Sequence, residues 1–311
     1  MVPARRAPNT GRHRPNRRRS LRIAYVCVLV LSVLSGTAIG GVHLWSAYAQ
    51  RTPSAQSRPP DGVTASSTPG RPSAAPPLEA ALEATPAPVS VRVSAHGFLS
   101  WALLDQRTGR LSGSSDVAVP GAAMSVVQPW LAADQLRRVD ARGHRPSPTR
   151  LRQLRAIVRG DDRAATDELY RELGGPASIQ RLIKVCRLTD SRPHGSHWAG
   201  TLLSARDTAR LGRCLADGRA AGRRWTPWLL GELRAVRGVG DFGVRGTLPA
   251  GTAATVGIKN GWLLAGSRWH VRCLAVARDW VLSVAVRYPA RLGLGHGKGL
   301  CRQVGDQVIA R

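Results

Sequence analysis

An uncharged, mostly apolar stretch at residues 23–42 determines on which side of a membrane the rest of this chain would fold. It follows residues 1–22, which hold eight arginines and no acidic residue. Such a stretch is long enough to span a bilayer, and a basic flank favours the cytoplasmic side. The pattern therefore predicts a basic cytoplasmic tail, a transmembrane helix at residues 23–42 and a cell-membrane protein whose remainder is extracytoplasmic.

A removed signal peptide is the alternative interpretation of the same segment. Ala47 and Ala49 form a small-x-small cleavage pattern, and cleavage near Ala49 would give a secreted protein. The apolar stretch is longer than the about 7 to 15 residues of a signal-peptide core, which favours a retained single-pass anchor.

Residues 43–88 are predicted to be a linker. Nine prolines lie between residues 50 and 88, among many Ser, Thr and Ala and almost no large apolar side chain. Such a segment cannot bury enough apolar surface to offset the entropy of folding. The sequence thus divides into the tail, the apolar segment, a disordered linker at 43–88 and one folded domain at 89–311.

The folded domain contains four cysteines, an even number in a chain predicted to be exported. Disulfides are the expected state outside the cytosol, and four cysteines allow three pairings. We predict Cys186 with Cys214 and Cys273 with Cys301, because each pair joins neighbouring predicted elements. The domain has no Cys-x-x-Cys pair and no histidine at zinc-ligand spacing from a cysteine, so neither a metal site nor a cofactor is expected.

The hydrophobic pattern predicts strands at both ends of this domain and helices between them. Residues 98–115 have the pattern of a hairpin. Apolar residues at i, i+3, i+4 and i+7 predict a helix from Ile179 to Cys186, and Ser204 and Thr226 are candidate helix caps. Further strands are predicted at 255–259, 269–276 and 280–286, the last of them central, with a closing helix at 296–310. This order predicts an α/β fold of the α+β type, with an antiparallel sheet of N-terminal and C-terminal strands packed against helices.

Four short motifs occur along these elements. They are MSVVQPW at residues 124–130, SARD at 204–207, GDFG at 240–243 and KNGW at 259–262. Together they resemble the serine β-lactamase and penicillin-binding-protein family, in a divergent exported bacterial branch, over residues 93–311. The resemblance implies a β-lactamase-like domain that binds a cell-wall peptide or another small acyl ligand.

The family's Ser-x-x-Lys motif corresponds to Ser125 and Gln128 in this chain. In the family the serine is acylated and the lysine helps to remove its proton. Gln128 has a neutral amide, which cannot accept a proton near neutral pH, and no lysine of this chain stands three residues after a serine. The resemblance therefore implies a catalytically impaired binder. The alternative is a divergent serine hydrolase or acyl-transferase in which Ser125 uses another base, Asp162 or Lys259.

Two further family motifs match in part. Asp161 and Asp162 stand where the family has Ser-Asp-Asn, so only the middle residue is kept. Lys259, Asn260 and Gly261 correspond to Lys-Thr-Gly on a sheet strand, where the lysine attracts a substrate carboxylate and the glycine permits close approach. The two aspartates also precede a predicted helix, where capping by an acidic residue is the simpler role.

The same alignment with the family's motifs assigns the remaining polar positions of the site. The backbone amides of Ser125 and Trp262 would form an oxyanion hole, and both should point into one cleft near Lys259. No glutamate lies between residues 188 and 204, so a deacylating carboxylate has no counterpart. His194 and His197 receive no role, and the simpler role of Ser125 is to cap or open a helix.

Basic residues outnumber acidic ones in the domain, with 35 Lys and Arg against 16 Asp and Glu in residues 91–311. Such a surface attracts polyanions. Nucleic acid is not expected as a partner outside the cytoplasm, whereas anionic wall polymers and the headgroups of the cytoplasmic membrane are available there. A purely structural envelope protein is a third functional class, and it would bind no ligand at the Lys259 strand.

Overall fold

The computed structural model describes residues 87–88 and 91–309. The predicted basic tail, apolar segment and cleavage position lie outside these residues, and so does all of the predicted linker except residues 87–88. Within the described part of the chain, no helix has the length and apolar character needed to cross a bilayer.

A six-stranded sheet lies at the centre of the described fold. The strands are β1 (Ala87–Pro88), β2 (Phe98–Asp105), β3 (Leu111–Gly113), β4 (Gly121–Ala122), β5 (Leu202–Leu203), β6 (Gly257–Ala265), β7 (Arg268–Val276) and β8 (Trp280–Pro289). The spatial order in the large sheet is β1-β3-β2-β8-β7-β6, and β4 and β5 form a separate two-stranded ladder. Neighbouring strands of the large sheet are antiparallel, except that β1 runs parallel to β3.

The central pair of the sheet joins the two ends of the domain's sequence. Phe98 pairs with Arg287 at one end of the β2–β8 ladder, and Asp105 pairs with Trp280 at the other. Strand β8 is buried along most of its length because packed side chains cover both faces of the sheet. The predictions of an antiparallel sheet from N-terminal and C-terminal strands, and of a central strand at 280–286, are confirmed.

Eight α-helices occur in the described residues. They are α1 (Gln128–Asp140), α2 (Pro148–Gly160), α3 (Arg163–Glu172), α4 (Pro176–Cys186), α5 (Ala205–Ala216), α6 (Thr226–Arg234), α7 (Ala250–Thr255) and α8 (Gly293–Ile309). Helices α1 to α6 enclose one hydrophobic core, whereas α8 packs against the sheet in a second core. The α+β architecture expected from the sequence is thus present.

Specific hydrogen bonds set where the helices begin. One of the two predicted helix caps is wrong. Ser204 caps α5 as predicted, since its hydroxyl accepts from the Asp207 amide at 3.0 Å. Thr226 is the first residue of α6 rather than its cap, because its hydroxyl donates to the Gly222 carbonyl at 2.9 Å. Strand β6 begins at Gly257, two residues later than predicted, because Thr255 still belongs to α7.

The two predicted disulfides are present. Cys186 at the end of α4 bonds to Cys214 in α5, and Cys273 in β7 bonds to Cys301 in α8. Each of the two cores contains one of these bridges. The first bridge therefore joins two helices to each other, and the second joins the sheet to the closing helix.

Candidate active site

Ser125 lies on a tight turn that leads into α1. The turn is a short 3-10 helix, Met124–Val127, and Met124 has a φ of 52°, a left-handed conformation that is uncommon for a residue other than glycine. Ser125 is 7% exposed. Ala123 and Val127 occupy the capping positions of this turn and of α1, so Ser125 caps neither helix, although it does lie in the turn that opens α1. Within residues 91–309, no side chain forms a hydrogen bond with Ser125 Oγ.

Gln128 is fully buried and held by one neighbour. Its Nε2 donates to Thr166 Oγ1 at 3.1 Å, and the Thr166 hydroxyl donates in turn to the Asp162 carbonyl at 2.5 Å. This arrangement fixes the amide with its nitrogen towards α3. Gln128 Oε1 is buried and has no hydrogen-bond partner among the described residues. The position one helical turn after Ser125 therefore holds a fixed neutral amide, which cannot accept a proton.

Lys259 is buried in β6 and faces the C-terminal end of α2. Its Nζ lies 3.1 Å from the Ile157 carbonyl, 3.0 Å from the Val158 carbonyl and 3.2 Å from Asp161 Oδ1. A cation at this end of a helix is favoured by the helix dipole. Burial lowers the pKa of Lys259, and the nearby Asp161 carboxylate opposes that shift. The Lys259 ammonium group therefore donates hydrogen bonds to two backbone carbonyls and forms an ion pair with Asp161.

The two aspartates occupy the junction between α2 and α3. Asp161 adopts a left-handed conformation with a φ of 58° and ends α2, and its carboxylate pairs with Lys259. Asp162 is exposed, and its carboxylate accepts from the Ala165 amide at 3.0 Å, so it caps α3. The simpler role weighed from the sequence, capping, is thus the one that Asp162 performs here.

Asn260 and Gly261 bring β6 against the Ser125 turn. Asn260 Nδ2 donates to the Gly240 carbonyl at 3.0 Å and to the Phe242 carbonyl at 2.8 Å, which ties the strand to the GDFG motif. A Cβ added at Gly261 would lie 2.8 Å from both Ser125 N and Met124 Cβ. Only glycine permits this approach between the strand and the turn.

We expect Gly261→Ala to lower the free energy of unfolding by about 1 to 3 kcal/mol, because the added methyl group meets backbone that cannot give way. Gly251→Ala is the matched control, since nothing lies within 4 Å of its added Cβ and the residue sits in α7. Alanine should there be neutral or slightly stabilising, as helix interiors favour alanine over glycine. Urea unfolding measures both changes. Equal stability of the two variants would contradict the close contact.

Direct contacts connect the site residues that were picked from the sequence. Gly261 touches the Ser125 turn, Lys259 pairs with Asp161, and Gln128 reaches the backbone of Asp162 through a single hydroxyl group. Trp262 follows Gly261, and its ring packs edge-on against Phe242 at 5.6 Å between centroids. Thr166 is the partner that sequence reasoning missed, because a threonine inside a helix carries no motif signal.

His197 belongs to a loop beside the Ser125 turn. Its Nε2 lies 3.1 Å from Asp167 Oδ1, and its Nδ1 accepts from the Ala199 amide at 3.2 Å. The same carboxylate oxygen accepts from Trp198 Nε1 at 2.6 Å. Both ring nitrogens of His197 thus hold the loop in shape, whereas the His194 side chain forms no hydrogen bond or ion pair within residues 91–309. Among the described residues, no group of three or more His, Cys, Asp or Glu side chains could hold a metal ion.

A buried arginine that the sequence analysis did not single out forms hydrogen bonds with the backbone of residues 121–122, just before the Ser125 turn. Arg272 in β7 is 3% exposed, and no described carboxylate pairs with it. Its guanidinium donates, at 2.8 to 3.3 Å, to Gly121 O, Ala122 O, Leu203 O, Ser204 O and Thr208 Oγ1. Burial and the neighbouring Arg287 lower its pKa to about 10. The sequence signal for this role was an arginine in the middle of β7, directly before the apolar residues 273–276.

No protein-family model and no functionally curated protein matches the chain. Solved structures do match. The class A β-lactamase of the last common ancestor of Gram-negative bacteria aligns with a TM-score of 0.57 at 18% identity, covering 70% of this chain and 94% of that chain. A β-lactamase from Burkholderia vietnamiensis gives 0.56 at 18%, covering 70% and 91%, and one from Desulfarculus baarsii gives 0.54 at 16%, covering 68% and 91%. The described part of this chain therefore has the class A β-lactamase fold, that of the β-lactamase-like serine hydrolases, in a divergent form.

Proposed function

We propose that this protein is a membrane-anchored, extracytoplasmic β-lactamase-like domain that binds a cell-wall peptide or a related acyl ligand without turning it over. Residues 23–42 are the proposed anchor. The proposed ligand lies beside Ser125 and Trp262, where β6 emerges from the interior: Gly261 is buried, and the strand is exposed from Leu263 onward. The excess of arginine on the domain would hold it near anionic wall polymers.

The observation that carries the proposal is the environment of Ser125 and Gln128. A serine hydroxyl is a poor nucleophile at neutral pH unless a neighbouring base takes its proton. Gln128 is buried, has its amide nitrogen bound to Thr166, and offers no such base. Lys259 is held by two carbonyl groups and Asp161, so it already has partners for its charge. A site that can contact a ligand but has no proton acceptor beside Ser125 favours ligand binding over turnover.

The alternative is a divergent serine hydrolase or acyl-transferase in which Lys259 serves as the base. One observation favours it, since burial lowers the pKa of Lys259 and so favours the neutral amine that could accept a proton. Asp162 is the weaker candidate base, because its carboxylate is exposed and caps α3.

The test is intact-mass spectrometry of the protein after incubation with a reactive β-lactam, together with calorimetric titration of a cell-wall pentapeptide. We expect peptide binding and no covalent mass increase in the wild type. A rapid mass increase that disappears in Ser125→Ala would contradict the proposal and establish the hydrolase alternative. Neither an adduct nor peptide binding would contradict both, and would leave the structural envelope protein.

A further inference from the structure

The hairpin that joins β6 to β7 ends in an exposed apolar cluster. Leu263 and Leu264 are 46% and 49% exposed, and every residue from 263 to 268 is exposed. Leu264 lies directly opposite Trp269, and Trp262 is two residues before it on the same face of the strand. Both tryptophans are only partly buried. Leu264 and the two tryptophans therefore share one face where the hairpin leaves the body of the domain, and Leu263, opposite His270, lies on the other face.

Arginines without acidic partners lie at the same end of the sheet, with Arg268 and Arg287 on the face of Leu263. Arg268 and Arg291 line an open groove of about 380 Å³ together with Ser267, Pro289 and Ala290. Arg287 is directly opposite His270 in the β7–β8 ladder, two residues from the pair formed by Arg268 and Pro289. In residues 91–309, none of Arg268, Arg287 and Arg291 forms an ion pair with a carboxylate.

The charge of these arginines acts on His270. Burial is the main cause that lowers the pKa of His270, and the positive charges of Arg287, Arg268 and Arg272 lower it further. Some surface arginines of the domain do pair with acids, as Arg150 does with Glu172 and Arg219 with Asp217, whereas the three at this end of the sheet do not. This end of the sheet therefore keeps a concentrated positive charge that the protein does not neutralise.

From these contacts we infer that the hairpin end, defined as Leu263, Leu264, Trp269, Arg268, Arg287 and Arg291, docks onto the surface of an anionic lipid bilayer. The leucines and Trp269 enter the interfacial region, where tryptophan is favoured, and the arginines meet the phosphate groups of the lipids. The inference does not depend on the chemistry of Ser125.

A bilayer fits both halves of this surface, and other partners fit one half. A soluble polyanion would pair with the arginines but leave the apolar cluster in water. A neutral apolar partner would cover the leucines but leave the arginines unpaired. Guanidinium groups bind phosphate in a bidentate manner, and an interfacial apolar tip beside such groups is the pattern of peripheral membrane binding.

The experiment uses the full chain in vesicles with a local readout, because residues 23–42 are themselves predicted to bind a bilayer. A fluorophore is placed at Ala265→Cys in a Cys27→Ser background, and at Ala254→Cys as the control. Ala254 lies before the opposite end of β6, at least about 26 Å along the strand from the tip. Vesicles contain phosphatidylcholine alone or with phosphatidylglycerol, and brominated lipids serve as quenchers.

We expect brominated lipid to quench the label at position 265 on vesicles with phosphatidylglycerol, and to leave the label at 254 unquenched. Arg268→Gln with Arg291→Gln should lower the ratio of docked to free hairpin by about 30-fold, from the attraction of two arginines to an anionic surface. Leu263→Ser with Leu264→Ser should also abolish quenching while leaving the label and its site unchanged.

Three results would overturn the inference. Absence of quenching at 265 would mean that the tip does not enter the bilayer. Equal quenching on phosphatidylcholine alone would mean that the arginines do not select anionic lipid. An equal emission change with soluble polyphosphate and no vesicles would identify a polyanion surface instead.

Discussion

Replacing Gln128 with lysine should increase the rate at which a β-lactam acylates Ser125 by about 10² to 10⁴, the usual contribution of general-base assistance. Residue 128 is three positions after Ser125 at the start of α1, and its side chain is fully buried. Burial lowers the pKa of a lysine, so the new amine would be partly neutral and able to take the serine proton. Time-resolved intact-mass spectrometry of the adduct measures the rate.

Two controls separate the base from other effects of that substitution. Gln128→Met has a similar length but no proton acceptor, so it should label no faster than the wild type. Ser125→Ala combined with Gln128→Lys should not label at all. If Gln128→Met labels as fast as Gln128→Lys, the missing base is not what limits acylation.

Removing either disulfide should lower the free energy of unfolding by about 3.5 kcal/mol, the value that loop-closure entropy gives for a loop of this size. Both bridges have a sequence separation of 28 residues, so the two losses should be equal. The paired variants are Cys186→Ala with Cys214→Ala, and Cys273→Ala with Cys301→Ala. Urea unfolding of each, against the wild type, checks the prediction.

The equality of the two losses is the sharper part of this test. Cys186–Cys214 joins two helices, whereas Cys273–Cys301 joins the sheet to α8. If the loss at one bridge exceeded the other by more than about 1.5 kcal/mol, contacts in the folded state, rather than loop entropy, would dominate its contribution.

The parts of the fold that the sequence predicted are those with a local pattern. Apolar runs predicted β7 and β8, the capping serine predicted the start of α5, and the cysteines of neighbouring elements predicted both disulfides. The boundary of β6 was missed because Thr255 takes part in a short helix that has no strong periodicity of its own.

The site was predictable as a set of positions but not as a set of interactions. The resemblance to the family's Lys-Thr-Gly motif related Lys259 to a substrate carboxylate, yet its ammonium contacts the end of α2 and Asp161, residues about a hundred positions away. The link from Gln128 to Thr166 and the five acceptors of Arg272 depend on tertiary packing in the same way. A motif gives residue types and order, and it does not show which neighbour satisfies a buried charge.

The pairing of β2 with β8 has a consequence for the order in which the domain can be completed as it is synthesised. Residues 98–105 emerge early from the ribosome, and their partner residues 280–287 emerge about 180 residues later. Until then β2 has only the short strand β3 beside it, and the segment before Ser125 lacks the Arg272 side chain that fastens it. Contacts this far apart in sequence form slowly, because closing long loops costs entropy before the contacts form. The newly made chain must therefore remain without its central sheet, and without a formed Ser125 turn, until nearly all of it has emerged.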